Sequence, residues 1–363
     1  MAIEAKQTST PAKHMVGRRV RAVVATVALA ASTAFFSGST LGQTSSRAVP
    51  AAEWNRIVAA AHKEGKVTLY GTMAIPIHER ISAEWAKAYP GIKLDFIRIV
   101  GAAMTTKFDQ ERAIPGFDGG DAMITADVRW ALDLQRQGLL KTPLGPGAAA
   151  YPDAYMIKGQ IAMLGISPWV IAYNTNLVST PINSYEDLLR PDLAGKVGSV
   201  SLIAEVVTAW YLWLDQAYPG FIEKFAATKP RMYPAGTGAS AAVASGEILV
   251  NAFSLNAIDN ALRNQKAPLR TVLPNPVQAF SYGGAVVSWA KNPNAALVVM
   301  DFLMSTRGQT AIVGNQDAAS PLPNLPGSID ISKSKVQMLD WEKTTPEMLK
   351  AYEAKWQKLF QVR

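Results

Sequence analysis

Cysteine is absent from all 363 residues, which excludes disulfides, thiolate metal sites, a cysteine nucleophile and a lipid-anchored N-terminal cysteine. Histidine is scarce: there are three, and His14 stands close to the N-terminus. His62 and His78 each fall in a helical pattern with no second ligand at metal spacing, so neither suggests a metal site. The chain also lacks a G-x-S-x-G elbow, an H-E-x-x-H pair and a glycine loop ending in G-K-[ST]. Beyond the N-terminus no apolar run reaches the roughly 18 residues of a membrane span. What survives of the enzyme classes is a hydrolase built on paired carboxylates, for which Asp118, Asp121 and Asp127 are close in the chain.

The N-terminus carries an address. Arg18, Arg19 and Arg21 precede an uncharged run from Ala22 to Phe36, and small and polar residues follow to Ser46, the pattern of a secretory signal peptide. Residues 1–48 are expected to be this leader, with cleavage after Gly42 or Ala48, and Met15 would begin a leader of ordinary length. The Arg18-Arg19 pair hints at twin-arginine export, but its surroundings fit general secretion better. Residues 1–48 hold six of the 36 Lys and Arg and one of the 28 Asp and Glu, so the remainder carries a net charge of +3 in place of +8. The basic balance therefore belongs largely to the leader and does not argue for nucleic acid. An exported chain with neither anchor nor disulfide fits the periplasm of a Gram-negative cell.

Hydrophobic periodicity then alternates between helix and strand. A helix over 53–64 closes at Gly65, and Lys66 to Gly71 reads as a strand. A helix bearing Ile81, Trp85 and Ala88 follows, then a strand over 92–99, a helix over 105–113, a strand over 121–125 and a helix over 128–137. Residues 143–152, with three prolines and two glycines, are expected to be a surface loop. The organising stretch is Ile166 to Leu177, a β-favouring run that ends at Asn174, Thr175 and Asn176 and carries the chain from one lobe into another. Past it come strands at 196–200, 248–253 and 269–273 and helices at 204–217, 221–227, 239–245 and 256–264. Ala279 to Ala290 is a second apolar β stretch, the return crossing, and helices are expected over 294–313 and 347–359. The fold class is α/β, a two-lobed clamshell with two crossing strands at its hinge: 49–172 as the first part of lobe 1, 173–278 as the main part of lobe 2, and 279–363 as return crossing, lobe 1 completion and C-terminal helices.

Several phrases in order carry a resemblance. They are Val67 to Gly71 with Pro90-Gly91-Ile92-Lys93-Leu94; Asp121 to Asp127 leading to Gly138-Leu139-Leu140; and Ala172 to Leu177, Tyr185 to Leu189 and Leu193 to Gly198. Ala241 to Glu247, Ser281 to Val286, Asn292 to Ala296 and Gly308-Gln309 complete the set. Together they resemble the periplasmic solute-binding proteins of ABC importers, in the branch that contains the ferric-iron binders. The resemblance implies a type II clamshell, no enzymatic activity, no cofactor, a monomer, and delivery of a small solute to an inner-membrane permease with its cytoplasmic ATPase.

The iron ligands that the branch implies are missing. No tyrosine stands between Tyr233 and Tyr282, residues 253–257 read FSLNA where adjacent tyrosines are expected, and Ala126 replaces the acid although Asp127 is next to it. The first loop offers Thr72-Met73-Ala74, with His78 beyond it. Ferric iron is a hard cation that wants several anionic oxygens, which these residues do not supply. The resemblance places the cleft at Thr72, Met73, Asp127, Trp169, Ser201, Thr237, Ser240, Ser254, Asn256 and Tyr282. Gly236-Thr237-Gly238-Ala239-Ser240 opens a helix and suits a carboxylate or phosphate, although Gly, Ser and Thr are ordinary at any helix start. Trp169, Met73 and Phe253 can wall an organic ligand, while Trp210 and Trp213, on a helix apolar all round, read as core. Arg98 and Arg112 are the candidate counter-charges for a carboxylate, and Glu205 complements the dipole of the helix it opens. The expected cargo is a small organic anion with an apolar body. Ferric iron, a sensing role toward a membrane receptor and a periplasmic hydrolase are the alternatives.

Overall fold

The computed structural model describes residues 46–360 apart from Ile203, so the expected leader lies, up to residue 45, outside the described residues. The first lobe opens with α1 (Ala51–Glu64), β1 (Lys66–Gly71), α2 (Ile75–Ala88), β2 (Lys93–Arg98), α3 (Ala102–Arg112), β3 (Ala122–Thr125) and α4 (Val128–Arg136). It continues through β4 (Leu140–Lys141), α5 (Pro146–Ala150), β5 (Met156–Ile157) and β6 (Ile161–Pro168). The second lobe comprises β7 (Val170–Asn174), β8 (Val197–Val200), α6 (Glu205–Ala217), α7 (Phe221–Ala227), β9 (Arg231–Tyr233), α8 (Gly236–Ser245), β10 (Val250–Ser254), α9 (Asn256–Asn264) and β11 (Leu269–Val272). The chain then adds β12 (Val277–Val287), α10 (Pro293–Met304), α11 (Thr306–Val313), β13 (Val336–Met338) and α12 (Pro346–Phe360).

Two sheets result. The first runs β2-β1-β3-β12-β6-β5, with β4 and β13 also on β12, and the second runs β11-β7-β10-β8-β9. β1 is parallel to β2 and β3, and β8 is parallel to β9 and β10, so each sheet sends a set of strand-to-helix loops out of its carboxyl edge. Open α/β sheets bind ligands at that edge. The strands Val67–Gly71, Ala122–Thr125 and Val277–Val287 are buried along their whole length, which is why they read as mostly apolar runs without regular alternation.

The crossing sits at Trp169, between Pro168 at the end of β6 in one sheet and Val170 at the start of β7 in the other. The return is different from the expected one. β12 lies wholly in the first sheet, so the chain recrosses ahead of it, over residues 273–276. A third connection follows β13: α12 leaves the first sheet and packs on α6 and α7 of the second lobe. Trp356, 2% exposed, stacks there on Phe360 at 4.9 Å and meets the edge of Tyr211 at 5.6 Å.

Two elements depart from expectation. Residues 143–152 contain α5, which packs on α10, where Asp301 Oδ1 accepts the Ala148 N–H at 2.9 Å. The expected helix over 294–313 is two helices, because Ser305 is extended (φ −75°, ψ 163°) and its hydroxyl caps the second helix at Gly308 N. Glycine is required at 308, since a Cβ there would lie 2.0 Å from the Phe302 carbonyl oxygen.

Candidate functional site

A cavity of about 490 Å³ opens between the two carboxyl edges, within the range of small-molecule sites. The first lobe supplies Thr72 after β1, Val100 to Ala102 after β2 and Thr125 to Asp127 after β3, and the second supplies Ala204 to Val207, Gly236 and Phe253 to Leu255. Trp169, Phe280 and Tyr282 form its floor at the hinge, and Trp341 closes one side.

The floor is an aromatic stack. Trp169 lies against Phe253 at 4.1 Å and 29° and against Phe280 at 4.8 Å and 31°, and Tyr282 meets Phe280 edge-on at 5.2 Å. These four rings are at most 9% exposed, so they present a fixed, desolvated surface. The indole N–H of Trp169 has no hydrogen-bond partner among the described residues. A buried donor left unpaired costs roughly 1–3 kcal/mol, which a ligand acceptor would recover.

Above the floor, helices converge with their amino ends toward the cavity. The residues that cap α3, α6, α8 and α9 are Gly101, Ala204, Ala235 and Leu255, and none gives a side-chain cap. The first turn of each helix contributes a residue to the cavity lining: Ala102, Glu205, Gly236 and Ile258. The third N–H of each helix, on Met104, Val207, Gly238 and Ile258, donates back to the cap carbonyl, which leaves the first two N–H groups of each start for a ligand, and the helix dipole adds partial positive charge there. By contrast α4 is capped, since Asp127 Oδ1 accepts the Trp130 N–H at 3.1 Å. The lining contains no lysine or arginine. Its two acids differ: Glu205 is ion-paired with Arg129 at 2.8 Å, whereas burial pushes the Asp127 carboxyl above its usual range, against the pull of the Trp130 N–H.

Of the ten expected cleft residues, the cavity brings together Thr72, Asp127, Trp169, Ser254 and Tyr282. The other five stand away from it. Met73 is fully buried in the core of the first lobe, its carbonyl accepting from Arg98 Nε at 3.0 Å. Ser201 is half-buried and uses its N–H on the Tyr233 carbonyl, Thr237 is exposed, and Asn256 is half-buried at the first position of α9. Ser240 is buried one turn below the start of α8, beneath Ser254 at 3.0 Å. The expected anion site at 236–240 is thus reduced to its backbone start, because helical rotation turns the Thr237 side chain to solvent. Phe253, named from sequence as a wall, does line the cavity, as does Val100 in the stretch after Ile99, whereas Phe280 and Trp341 were not anticipated. Nothing but their places within β12 and ahead of α12 could have signalled them.

The remaining candidates have structural duties. Arg112 pairs with Asp109 at 3.1 Å. Asp118 pairs with Lys66 on the surface, and Asp121, fully buried, accepts from Thr68 N and from the backbone and side chain of Asn292. With two of its three acids so engaged, the paired-carboxylate hydrolase loses its constellation. His78 is buried and stacked on Phe96 at 3.6 Å, and burial holds its pKa down to about 4. Trp210 and Trp213 are core. Among the described residues no group of three or more acids and histidines could hold a metal ion.

The profile of the bacterial extracellular solute-binding proteins matches residues 66–315, more than half of the chain. The chain belongs to this family. Solved structures share its fold at low identity. The substrate-binding protein of an ABC transporter from Agrobacterium tumefaciens is 16% identical with a TM-score of 0.71, over 83% of this chain and 97% of that one. AfuA from Actinobacillus pleuropneumoniae, with fructose-6-phosphate bound, is 20% identical with a TM-score of 0.65, over 83% and 100%. Iron-bound HitA from Pseudomonas aeruginosa is 18% identical with a TM-score of 0.63, over 82% and 98%. Membership makes this chain a solute-binding protein, and the two sheets with their shared cavity are its clamshell.

Proposed function

We propose that this protein captures a small organic anion in the periplasm and presents its closed form, as a monomer, to an inner-membrane permease driven by a cytoplasmic ATPase. The observation that carries the reading is the meeting of four helix starts without side-chain caps over an aromatic floor. Backbone N–H groups and helix dipoles hold an anion without a cationic side chain. The stack formed by Trp169, Phe253 and Phe280 accepts an apolar body, and the indole N–H, buried and unpaired in this arrangement, is a donor for a ligand that reaches it. AfuA, of the same fold, has fructose-6-phosphate bound, a small organic anion.

Iron is disfavoured by the same lining. Asp127 and the ion-paired Glu205 are its only carboxylates and Tyr282 its only tyrosine, with burial raising that phenol to about 12. A hard trivalent cation needs more anionic oxygen than this.

Closure requires that the ligand bind the closed arrangement better than the open one, since equal affinity shifts nothing. A thermal-shift screen of the ligand-stripped protein against carboxylates, aromatic acids, phosphonates, sugar phosphates, polyamines and ferric citrate tests the reading. Ligand at about 100 times its dissociation constant adds roughly 2.7 kcal/mol, which raises the melting temperature by a few degrees. A shift with one class of organic anion is expected. A shift with ferric citrate alone, or with polyamines alone, would overturn the anion reading.

A further inference from the structure

The cavity's side chains and its backbone ask for opposite things. Three of its hydroxyls spend their protons within the protein: Ser254 donates to Asp259 Oδ2 at 2.8 Å, Thr105 to the Ala102 carbonyl at 2.9 Å, and Thr72 to the Ile124 carbonyl at 3.4 Å. A hydroxyl whose proton is committed offers a ligand only lone pairs. Each oxygen also has a second protein partner, Thr72 accepting the Ala126 N–H at 3.1 Å and Ser254 bonded to the Ser240 hydroxyl at 3.0 Å, which leaves one lone pair on each; the two stand on opposite lobes.

Asp127 adds the charge. Its Oδ1 takes the Trp130 N–H, and no hydrogen bond reaches its Oδ2 from the described residues. The nearest guanidinium, Arg129, points elsewhere: it pairs with Glu205, donates to the Thr344 carbonyl and lies over the Trp341 ring at 5.1 Å. Arg98, behind Tyr282, is held on the Met73 carbonyl and does not line the cavity. A half-buried carboxylate with a free oxygen and no cation on it costs free energy that a ligand cation recovers. The charge complements the dipole of α4, as that of Glu205 does for α6, but Glu205 has a cation on it and Asp127 does not.

We infer that the solute carries a primary ammonium together with its anionic group, and that Asp127 is the residue that selects the ammonium. This rests on the organic-anion reading: the helix starts take the anion, and Asp127, with the acceptor faces of Ser254 and Thr72, takes the amine. The ligand class is an amino acid or amino phosphate with an apolar body.

Matched pairs that differ only in the amine test it by calorimetric titration: phenylalanine against 3-phenylpropionate, 4-aminobutyrate against butyrate, and O-phosphoethanolamine against ethyl phosphate. Each is run on the wild type and on Asp127→Asn, whose unliganded melting temperature reports that the cap is kept. In at least one pair the amine is expected to bind ten-fold or more tighter, and Asp127→Asn to reduce that preference to about three-fold or less. Equal binding within the pairs, or a preference that survives Asp127→Asn, would overturn the inference while leaving the anion reading standing. So would tight binding in the broad screen of an anion without an amine, with none of the pairs binding. If no organic anion of any kind binds, the anion reading itself fails, and this inference falls with it.

Discussion

Arg129, in the first turn of α4, reaches across the cavity to Glu205, the first residue of α6 on the other lobe, at 2.8 Å. The same guanidinium donates to the Thr344 carbonyl and covers the Trp341 ring, so one side chain ties together the first lobe, the second lobe and the third connecting segment. These contacts can form only while the lobes are together. Closure needs bonds that the open state lacks, and this cluster provides them at the rim.

Arg129→Ala should therefore weaken solute binding without touching the solute. The ion pair is half exposed and contributes about 0.2–1 kcal/mol, and the ring contact adds about as much. Together they amount to a loss in affinity of several-fold. Glu205→Gln should cost less, and the double variant should cost less than the sum of the two. Titration calorimetry measures the cycle, and small-angle scattering reports whether the lobes have moved apart. Additive effects, or a variant as compact as the wild type when liganded, would show that the pair does not hold the lobes.

Trp169 has two separable duties. Trp169→Phe keeps a ring between Phe253 and Phe280 and removes the indole N–H, whereas Trp169→Ala removes both. One hydrogen bond to an anion is worth about 1.5–3 kcal/mol, so the Phe variant should lose roughly ten-fold or more in affinity. The Ala variant should also lose about 3–5 kcal/mol of stability, since Trp169 is 2% exposed at the hinge. Unchanged affinity in Trp169→Phe would mean that the indole N–H does not meet the ligand.

Much of this was readable in the amino-acid order, for definite reasons. Strands buried on both faces are mostly apolar runs, and helices such as α2, with Ile77, Ile81 and Trp85 buried, keep one spacing throughout. Both signals are local. What failed depends on partners distant in sequence. Residues 143–152 contain the short α5 because α10 and Arg47 receive it, and no window of ten residues contains either. Strand ends and the crossing stretches anticipated five residues of the cavity lining, Thr72, Asp127, Trp169, Ser254 and Tyr282. Met73 and Ser240 stand next to or near such loops yet turn inward. The missing side-chain caps were hidden for another reason: Gly101, Ala204, Ala235 and Leu255 look like ordinary residues until the helix starts are known.

Asp259 links the cavity to pH. It is fully buried on α9, accepts Ser254, and faces one charged neighbour, Arg263, four residues on. Burial raises its pKa from 3.8 to about 6, against the opposing hydrogen bonds from Ser240 and Ser254. A raised carboxyl pKa means that the folded state holds the proton more tightly than the unfolded chain does. Its contribution is therefore fully present below pH 3.8 and is lost as pH rises through about 6. The two-unit difference corresponds to about 3 kcal/mol. Asp259→Asn has no such slope, so wild type minus variant, from urea melts at pH 4 and pH 7.5, should decline by roughly that amount. A difference that stays flat, or that grows with pH, would mean that Asp259 is ionised in the fold at acid pH.

Arg47 favours the earlier of the two expected cleavage points. It is 3% exposed, its Nε donates to the Ala148 carbonyl at 2.7 Å, and its Nη2 donates to the Tyr151 carbonyl at 2.5 Å. A third contact joins Nη1 to Asp153, whose side chain is 84% exposed and adds little. Removing the guanidinium leaves two carbonyls of the α5 segment without their donor, at a cost of about 1–3 kcal/mol each. Cleavage after Ala48 would take Arg47 away and incur that cost, whereas cleavage after Gly42 keeps it. The exported protein should therefore begin before Arg47, as terminal sequencing and intact mass will show. Arg47→Ala should lower stability by about 2–4 kcal/mol in urea melts. A mature chain that starts at Val49 and melts no lower than one that retains Arg47 would show that α5 is held by α10 alone.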